Sequence, residues 1–286
     1  MVIVHDPECG KYQFLGHPER PARVIETARF FKQQEEVSLE WISPEEVSQE
    51  MILRAHTQEH LDRLQSGHFH DPDTPFHPDM YQHALRSVGG AIAAMHSALK
   101  GKPALSLMRP PGHHAEKARI MGFCYLNQAA ICALEAVTKN LRVAVYDFDV
   151  HHGNGTEHIL RDCENAAYFS AHQFPAYPGT GEKNSARGLN CPVLPDAPGG
   201  EFLGACRTAL DGVKDWKPDL LIVSAGFDAY KDDPIAQQSL LMEDFQTIGR
   251  WIAELNIPHF SILEGGYSND LPQCIFAYVK GLYEIS

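Results

Sequence analysis

The 286-residue sequence lacks several features that would place it in another class of protein. It contains no stretch of 18 apolar residues, which argues against a transmembrane helix. Its first residues, MVIVHD, have neither the basic segment nor the long apolar core of a signal peptide and are predicted to form a strand. No Pro- or Ser-rich linker, low-complexity tract or internal repeat divides the chain. We therefore expect a single domain over residues 1–286, with a substantial core.

Positive charge is also scarce. The 24 Lys and Arg residues stand against 37 Asp and Glu, for a net charge of −13. This balance disfavours direct binding to nucleic acid and is compatible with cationic substrates. The seven cysteines include no CxxC pair, which indicates free thiols in a reducing compartment. We expect a cytoplasmic protein with neither a nucleic acid nor a membrane as partner.

Short apolar runs alternate with longer segments of helical pattern, and this alternation predicts an α/β fold. We expect one open parallel β-sheet flanked by helices on both faces. The predicted strands are 2–5, 37–42, 103–108, 142–147, 166–170, 219–224 and 259–263. The predicted helices are 21–35, 80–100, 126–139, 203–215, 243–256 and 271–284. The stretch 172–202, rich in Pro and Gly, is predicted to be a functional surface loop.

The segment DFDVHHGNG at 147–155 follows the apolar run RVAVY. Residues two apart on a strand point to the same side, so Asp147, Asp149 and His151 are expected to face one pocket. Carboxylate oxygen and imidazole nitrogen together suit a divalent metal such as zinc. The alternative is an acidic strand end whose polar groups are satisfied by caps.

Three further motifs also follow apolar runs. RPPGHHA carries His113 and His114, which suit acid–base chemistry better than shared ligation, although two exposed loop histidines are the alternative. SAGFDA carries Asp228, a candidate third metal ligand, and EGGYS carries Tyr267, whose phenol can face a ligand. All four motifs are expected at the carboxyl ends of parallel strands, the edge where α/β sheets build ligand sites.

With these motifs in the order RPPGHHA, MGFCYLN, DFDVHHGNGT, YPGTG, SAGFDA and EGGY, the chain resembles the zinc-dependent deacetylase family. That family includes histone deacetylases, acetylpolyamine amidohydrolases and bacterial acetoin-utilisation-type proteins. The resemblance runs from about His17 to Tyr267 and is closest to the class II branch and its bacterial relatives, since Asn154 follows HHG where class I members usually carry Asp. It implies the arginase/deacetylase fold.

The resemblance implies a role for each motif residue. Asp149, His151 and Asp228 are expected to bind Zn²⁺, and Tyr267 to hold the acyl oxygen as it becomes an oxyanion. His114 is expected to move protons between water and the leaving amine, while His113 supports it electrostatically. Asp147 is expected to orient His113 and Asn154 to orient His114. Because Asn carries no charge, His114 should titrate lower than it would beside an Asp.

The resemblance also implies a substrate channel. Gly122, Phe123 and Tyr177 match the walls around an acyl-lysine stem, and Ile235 an apolar wall near the mouth. Asp73 matches a rim carboxylate that grips substrate backbone amides. Without the motif context, the two aromatic residues would be read as core.

Further positions follow from the same resemblance. Arg23 is similar to an arginine that lines an internal acetate cavity, whereas Arg20 and Glu19 are also compatible with a surface ion pair. Cys124 is expected to be a packing residue. The remaining histidines, including His68, His70, His77 and His83, are expected on the surface. A structural K⁺ site is implied at Asp147, Asp149, His151, Ser170 and Ala171.

The expected activity is metal-assisted removal of acetyl, or a related acyl group, from an amine. Acyl-lysine peptides or proteins and acetylpolyamines both remain open as substrates, as does the oligomeric state. An arginase-like ureohydrolase is disfavoured because a second metal ion would lack ligands. A non-enzymatic acyl- or metal-binding module is disfavoured because no ligand, tandem His or Tyr is missing.

Overall fold

Eight short strands form one parallel sheet, in a computed structural model that describes residues 1–284. Their order across the sheet is β2-β1-β3-β8-β7-β4-β5-β6, and every neighbouring pair is parallel. The predicted parallel α/β fold is therefore confirmed. The strands are β1 Val2–Val4, β2 Glu40–Ile42, β3 Ala104–Ser106, β4 Val143–Asp147, β5 Ala166–Gln173, β6 Gly188–Val193, β7 Leu220–Ala225 and β8 His259–Leu263.

Helices connect the strands, and three of them begin at a capping side chain. Ser48, Thr57 and Asn127 each accept a hydrogen bond from a backbone N–H in the first turn of the helix that follows. The helices are α1 Ala22–Phe31, α2 Gln49–Ala55, α3 Gln58–Ser66, α4 Met80–Leu99, α5 Gln128–Thr138, α6 Asn154–Leu160, α7 Gly199–Trp216, α8 Met242–Glu254 and α9 Leu271–Tyr283. None of these described helices is long and apolar enough to cross a membrane.

The two faces of the sheet are covered by different helices, as predicted. Along β4, Val143 and Val145 belong to one buried cluster, while Ala144 and Tyr146 belong to the other. This alternation follows from the two-residue period of a strand. Helices α1, α7, α8 and α9 pack on the Ala144 face, and α2 to α6 pack on the opposite face. Because β4 is buried on both faces, its side chains are predominantly apolar until the strand reaches Asp147.

Four of these α-helices and strands were not predicted. Helices α2 and α3 carry their signal in Ser48 and Thr57, each followed two residues later by a glutamate in the first turn. Helix α6 begins within the DFDVHHGNG segment, whose glycines are typical of a turn and so gave no helix prediction. The prediction that 172–202 is entirely loop is wrong, because β6 lies within it. Pro192 makes that segment unlike a strand, but β6 is an edge strand, where proline is tolerated.

Candidate active site

The four motifs meet because their strands are neighbours. In the sheet, β3, β8, β7 and β4 lie side by side, and each is followed by one of the motifs that carry His113, Tyr267, Asp228 and Asp149. Parallel strands bring their carboxyl ends to one edge. Residues far apart in the chain therefore meet in one site, and Gly265 N–H, for example, donates to Asp149 Oδ2 at 2.7 Å.

Asp149, His151 and Asp228 form a group whose ligand atoms all lie within 4.8 Å of one another. His151 Nδ1 is 3.2 Å from Asp149 Oδ1 and 3.0 Å from Asp228 Oδ2. Val150 N–H donates to Asp228 Oδ1 at 3.0 Å, so the backbone holds this carboxylate as well. Gly265 leaves room for the group, because a Cβ at that position would overlap both carboxylates. The structure thus brings together the three side chains that the sequence singled out.

This donor set suits a divalent cation. Both aspartates are fully buried, so their charges require a positive partner close by. Burial alone lowers the pKa of His151, but hydrogen bonds and charge from Asp149 and Asp228 raise it to about 10. Two carboxylate oxygens and one imidazole nitrogen are ligands that a divalent metal accepts. These three residues fit the metal that the sequence implies.

The tandem histidines lie beside this group and have different partners. Their ring centroids are 4.0 Å apart. His113 Nδ1 is 3.1 Å from Asp147 Oδ2, which also accepts a hydrogen bond from Tyr168 at 3.0 Å. His114 Nδ1 is 2.8 Å from Asn154 Oδ1. Both pairings were predicted from the sequence, whereas Tyr168 was not.

The two histidines titrate in opposite directions. Burial lowers the pKa of His113, but the carboxylates of Asp149 and Asp147 outweigh this effect and raise it to about 10. Burial lowers the pKa of His114 well below its usual value, and the positive charge of His113 lowers it further. At neutral pH one ring is therefore cationic and the other neutral, a division that separates an electrostatic role from a general base.

A cavity of about 220 Å³ leads from the surface to the tandem histidines and His151. His114 packs edge-on against Tyr177, with ring centroids 5.1 Å apart, and Phe123 packs edge-on against Tyr267 at 5.8 Å. Gly122 lies between these walls, and a Cβ there would come within 2.6 Å of His114 Cδ2. Ile235 and Asp73 also line the cavity.

Phe123 adopts a left-handed backbone conformation with φ of 67°, which costs a non-glycine residue about 1–3 kcal/mol. Its N–H donates to Thr74 Oγ1 at 2.9 Å, a contact that helps hold the strained residue and that sequence analysis missed. The surrounding structure thus maintains the position of an aromatic wall.

Tyr267 is held by a carboxylate that the sequence did not single out. Asp233 Oδ2 accepts hydrogen bonds from the N–H groups of Tyr267 at 2.7 Å and Ser268 at 3.2 Å. Its Oδ1 accepts from Ile235 N–H at 3.1 Å. Burial raises the pKa of the Tyr267 phenol well above its usual value, so the hydroxyl stays protonated and can donate.

Arg23 lies against Tyr267, and the residues of the implied K⁺ site lie on the neighbouring strands β4 and β5 and just after β4. The Arg23 guanidinium donates to the carbonyls of Glu264 and Gly266 and lies 4.8 Å from the Tyr267 ring centroid. Ser170 is the register partner of Asp147 across β5 and β4, and Ala171 follows it in β5. These observations place Arg23 behind Tyr267.

The Arg20–Glu19 surface ion pair, which the sequence left open, does not form, and the expectation that the remaining histidines lie on the surface is wrong for six of them. Glu19 is 3 % exposed and pairs with the fully buried Arg109, while Arg20 donates to Asn269 instead. His83 lies on α4 and is buried, and so are His56, His60, His152, His172 and His259. Long-range packing covers these side chains, and local sequence carries no signal for it. His68 and His70 are exposed, His77 is half-buried, and Cys124 is buried as expected.

Comparisons with known proteins agree with the sequence resemblance. Residues 17–282 match the family described as "Histone deacetylase domain". The chain is 36 % identical over 301 residues to a "Probable deacetylase" of Methanothermobacter thermautotrophicus, covering 99 % of this chain and 90 % of the relative. It is 36 % identical over 211 residues to an "Acetylpolyamine amidohydrolase" of Burkholderia pseudomallei, covering 70 % of this chain and 62 % of the relative.

The fold is similar to that of a solved structure of the HDA15 HD domain. The TM-score is 0.90 at 26 % identity, and the match covers 99 % of this chain and 91 % of that one. Together with the site geometry, these similarities confirm the predicted family and the predicted class of activity. The chain belongs to the histone deacetylase family and has the deacetylase, or amidohydrolase, function of that family.

Proposed function

We propose that the chain is a zinc-dependent amidohydrolase that removes acetyl, or a related acyl group, from acyl-lysine side chains or similar acylated amines. One observation carries this proposal. The group Asp149, His151 and Asp228, whose two carboxylates are fully buried, adjoins the cavity of about 220 Å³, which His114 and Tyr267 also line. A metal site, a proton carrier and a hydroxyl donor are therefore all within reach of one bound amide.

Asp149, His151 and Asp228 would hold the zinc. Bound there, zinc polarises a carbonyl and lowers the pKa of water. The two carboxylates would cancel the formal charge of the metal, so the site would polarise a carbonyl less than three neutral histidines would allow. A second donor to the acyl oxygen is then useful. The buried phenol of Tyr267 stays protonated and supplies that hydrogen bond. The same three ligands also accept Fe²⁺ and Co²⁺.

His114 is the general base in this proposal. Its Nδ1 faces the Asn154 side chain at 2.8 Å, which leaves Nε2 as the nitrogen that accepts a proton from the attacking water. The same nitrogen then returns the proton to the leaving amine. His113, cationic because of Asp147 and Asp149, supports the developing negative charge.

The channel suits a narrow unbranched stem. Phe123 and Tyr177 provide two aromatic walls, Gly122 keeps the space between them open, and Ile235 adds an apolar surface at the mouth. Asp73 lies exposed at the rim, where it would accept hydrogen bonds from substrate amides. Arg23 would line an internal acetate cavity.

We also propose a K⁺ site and a reducing compartment for this protein. A K⁺ ion would lie at Asp147, Asp149 and His151 with Ser170 and Ala171, beside the strand pairing of Asp147 with Ser170. All seven cysteines have free thiols, which supports a reducing compartment such as the cytoplasm.

The test is hydrolysis of a panel by zinc-loaded enzyme. Acetyl-lysine peptides, longer acyl-lysines and acetylpolyamines are compared, with chelator treatment and Tyr267→Phe as controls. We expect turnover that is lost on chelation, recovers with zinc and depends on Tyr267. Hydrolysis that survives full removal of metal, or zinc binding without hydrolysis of any member, would contradict the proposal.

Acetylpolyamines are the second candidate substrate. The mouth carries an acidic side chain, Asp73, and the chain has a net charge of −13, so a cationic amine would be attracted. The relative from Burkholderia carries the name of this activity. A kcat/KM that is higher for acetylpolyamines than for acetyl-lysine peptides, and that falls with added salt, would favour this candidate.

A further inference from the structure

Catalysis by His114 requires its Nε2 to carry a lone pair, and the partner at Nδ1 decides whether it does. We propose that Glu116 is a positioning residue that fixes the orientation of the Asn154 amide and thereby the tautomer of His114. This inference rests on the proposed role of His114 as the general base. Glu116 follows the RPPGHHA motif and has no assigned role in the proposed mechanism.

The contacts form a chain of three side chains. Asn154 is 7 % exposed, with its Oδ1 2.8 Å from His114 Nδ1 and its Nδ2 2.9 Å from Glu116 Oε1. Met121 Sδ is a second, weaker neighbour of Nδ2 at 3.6 Å. The amide thus lies between an imidazole on one side and a carboxylate on the other.

Donor and acceptor chemistry then permits only one arrangement. An ionised carboxylate only accepts hydrogen bonds, so the amide must turn its NH₂ group towards Glu116. Its carbonyl oxygen, which also only accepts, must then face His114. The proton of neutral His114 therefore lies on Nδ1, and Nε2 carries the lone pair. The opposite amide orientation would put two acceptors 2.9 Å apart.

The position of Glu116 is itself held from the backbone. Its N–H donates to the carbonyl of Arg119 at 3.0 Å, and its carbonyl lies 3.0 Å from Nδ1 of the buried His56. The side chain is 27 % exposed, and His158 Nδ1 lies 3.6 Å from Oε2. These contacts fix the position of the Glu116 carboxylate relative to Asn154.

Without Glu116, the amide of Asn154 loses its only strong acceptor in the described contacts. The flipped amide would donate to His114 Nδ1 and stabilise the tautomer with hydrogen on Nε2, which cannot accept a proton. The carboxylate also polarises the amide, which strengthens the carbonyl oxygen as an acceptor for imidazolium. An amide does not relay protons, so Glu116 acts on His114 through orientation and field alone.

A double-mutant cycle gives a signature that a merely structural role would not give. Glu116→Gln and Glu116→Ala should lower kcat about 10-fold or more, with KM little changed, because the amide gains a second orientation. In Asn154→Asp, the new carboxylate meets Glu116 across the 2.9 Å contact and is repelled. Adding Glu116→Gln removes that repulsion and supplies an NH₂ donor. The same Glu116→Gln change should therefore harm the parent enzyme and raise kcat of Asn154→Asp.

The control is Glu164→Gln, which removes an exposed charge of the same sign near the end of α6. Its kcat, zinc content and thermal unfolding should equal those of the parent. The ¹⁵N chemical shifts of the His114 ring should report hydrogen on Nδ1 in the parent and a mixed tautomer in Glu116→Ala. These shifts need no turnover, so they test Glu116 even if no substrate in the panel is hydrolysed.

Three results would overturn the inference. One is a Glu116→Ala enzyme with the parent's kcat, pH profile and His114 tautomer. Another is a cycle in which Glu116→Gln has the same effect in the parent enzyme and in the Asn154→Asp variant. The third is loss of activity in Glu116→Ala together with loss of zinc or of folding. Metal analysis and unfolding measurements distinguish this outcome from a loss of positioning alone.

Discussion

Replacing Arg109 by Met should destabilise the domain strongly. Arg109 is fully buried just before the tandem-histidine segment. Its Nε and Nη2 donate to the two carboxylate oxygens of Glu19 at 2.6 and 2.7 Å. Its Nη1 donates to the carbonyls of Cys9 at 2.7 Å and Tyr12 at 3.0 Å, and its guanidinium lies 3.6 Å from the Tyr12 ring centroid. One side chain thus ties the N-terminal segment to the catalytic loop.

The magnitude follows from what remains around Glu19. In Arg109→Met, the partners left to the buried carboxylate among residues 1–284 are Arg23 Nη1 at 3.4 Å and the Tyr12 hydroxyl at 3.1 Å. Removing one partner of a buried ion pair costs about 3–5 kcal/mol. At about 2–3 °C per kcal/mol for a chain of this size, the melting temperature should fall by roughly 6–15 °C.

The loss of stability in Arg109→Met should also depend on pH, and the direction of that dependence follows from the pKa of Glu19. Burial alone raises the pKa of Glu19, but Arg109 outweighs it and holds the folded pKa below the ordinary 4.5. The pair therefore stabilises the parent above about pH 4.5, and this contribution is lost as the pH falls through the lower folded value. In Arg109→Met burial prevails and the folded pKa rises. The variant should then recover stability, relative to the parent, as the pH falls from about 7 to about 5.

Urea unfolding at neutral and mildly acidic pH measures both effects. Adding Glu19→Gln to Arg109→Met should restore part of the lost free energy, because it removes the unpaired charge. Arg63→Met is the matched control, since Arg63 forms an exposed pair with Glu59, and it should change stability by no more than about 1 kcal/mol. A cost for Arg109→Met as small as that of Arg63→Met, or one that does not change with pH, would refute the reasoning.

Three further predictions concern the site. Tyr267→Phe should lower kcat about 10²–10³-fold while zinc content and melting temperature stay those of the parent, and full activity would remove the phenol from the mechanism. Asp228→Ala should lose zinc affinity, measured by metal analysis after dialysis, and retained stoichiometry would contradict the ligand set. The double variant Asn154→Asp, Glu116→Gln should move the acidic limb of the pH–rate profile to higher pH, because a carboxylate beside His114 raises the pKa of this base. An unchanged acidic limb would contradict the role of His114 as the base that Asn154 orients.

Much of the site could be predicted because its residues sit in contiguous motifs at strand ends. Asp149 and His151 directly follow β4, whose apolar run marks it as a buried strand, although the chain bends at residues 149–151 and is not extended there. Asp228 and Tyr267 follow runs that could be recognised as buried strands. The neighbours that support them could not be found in this way: Glu116 meets Asn154, and Asp233 meets the backbone of Tyr267, through contacts 38 and 34 residues apart in the chain.

The sequence by itself determined the parallel α/β architecture, the family and the set of candidate ligands, because apolar periodicity and short motifs are local properties of the chain. Only the tertiary structure decided which partners support those residues. It paired Arg109 with Glu19 across 90 residues, buried His83 on α4, and turned part of 172–202 into the edge strand β6. Such contacts depend on how helices and strands pack over long separations, and burial then sets the protonation states of the side chains that local sequence can only name.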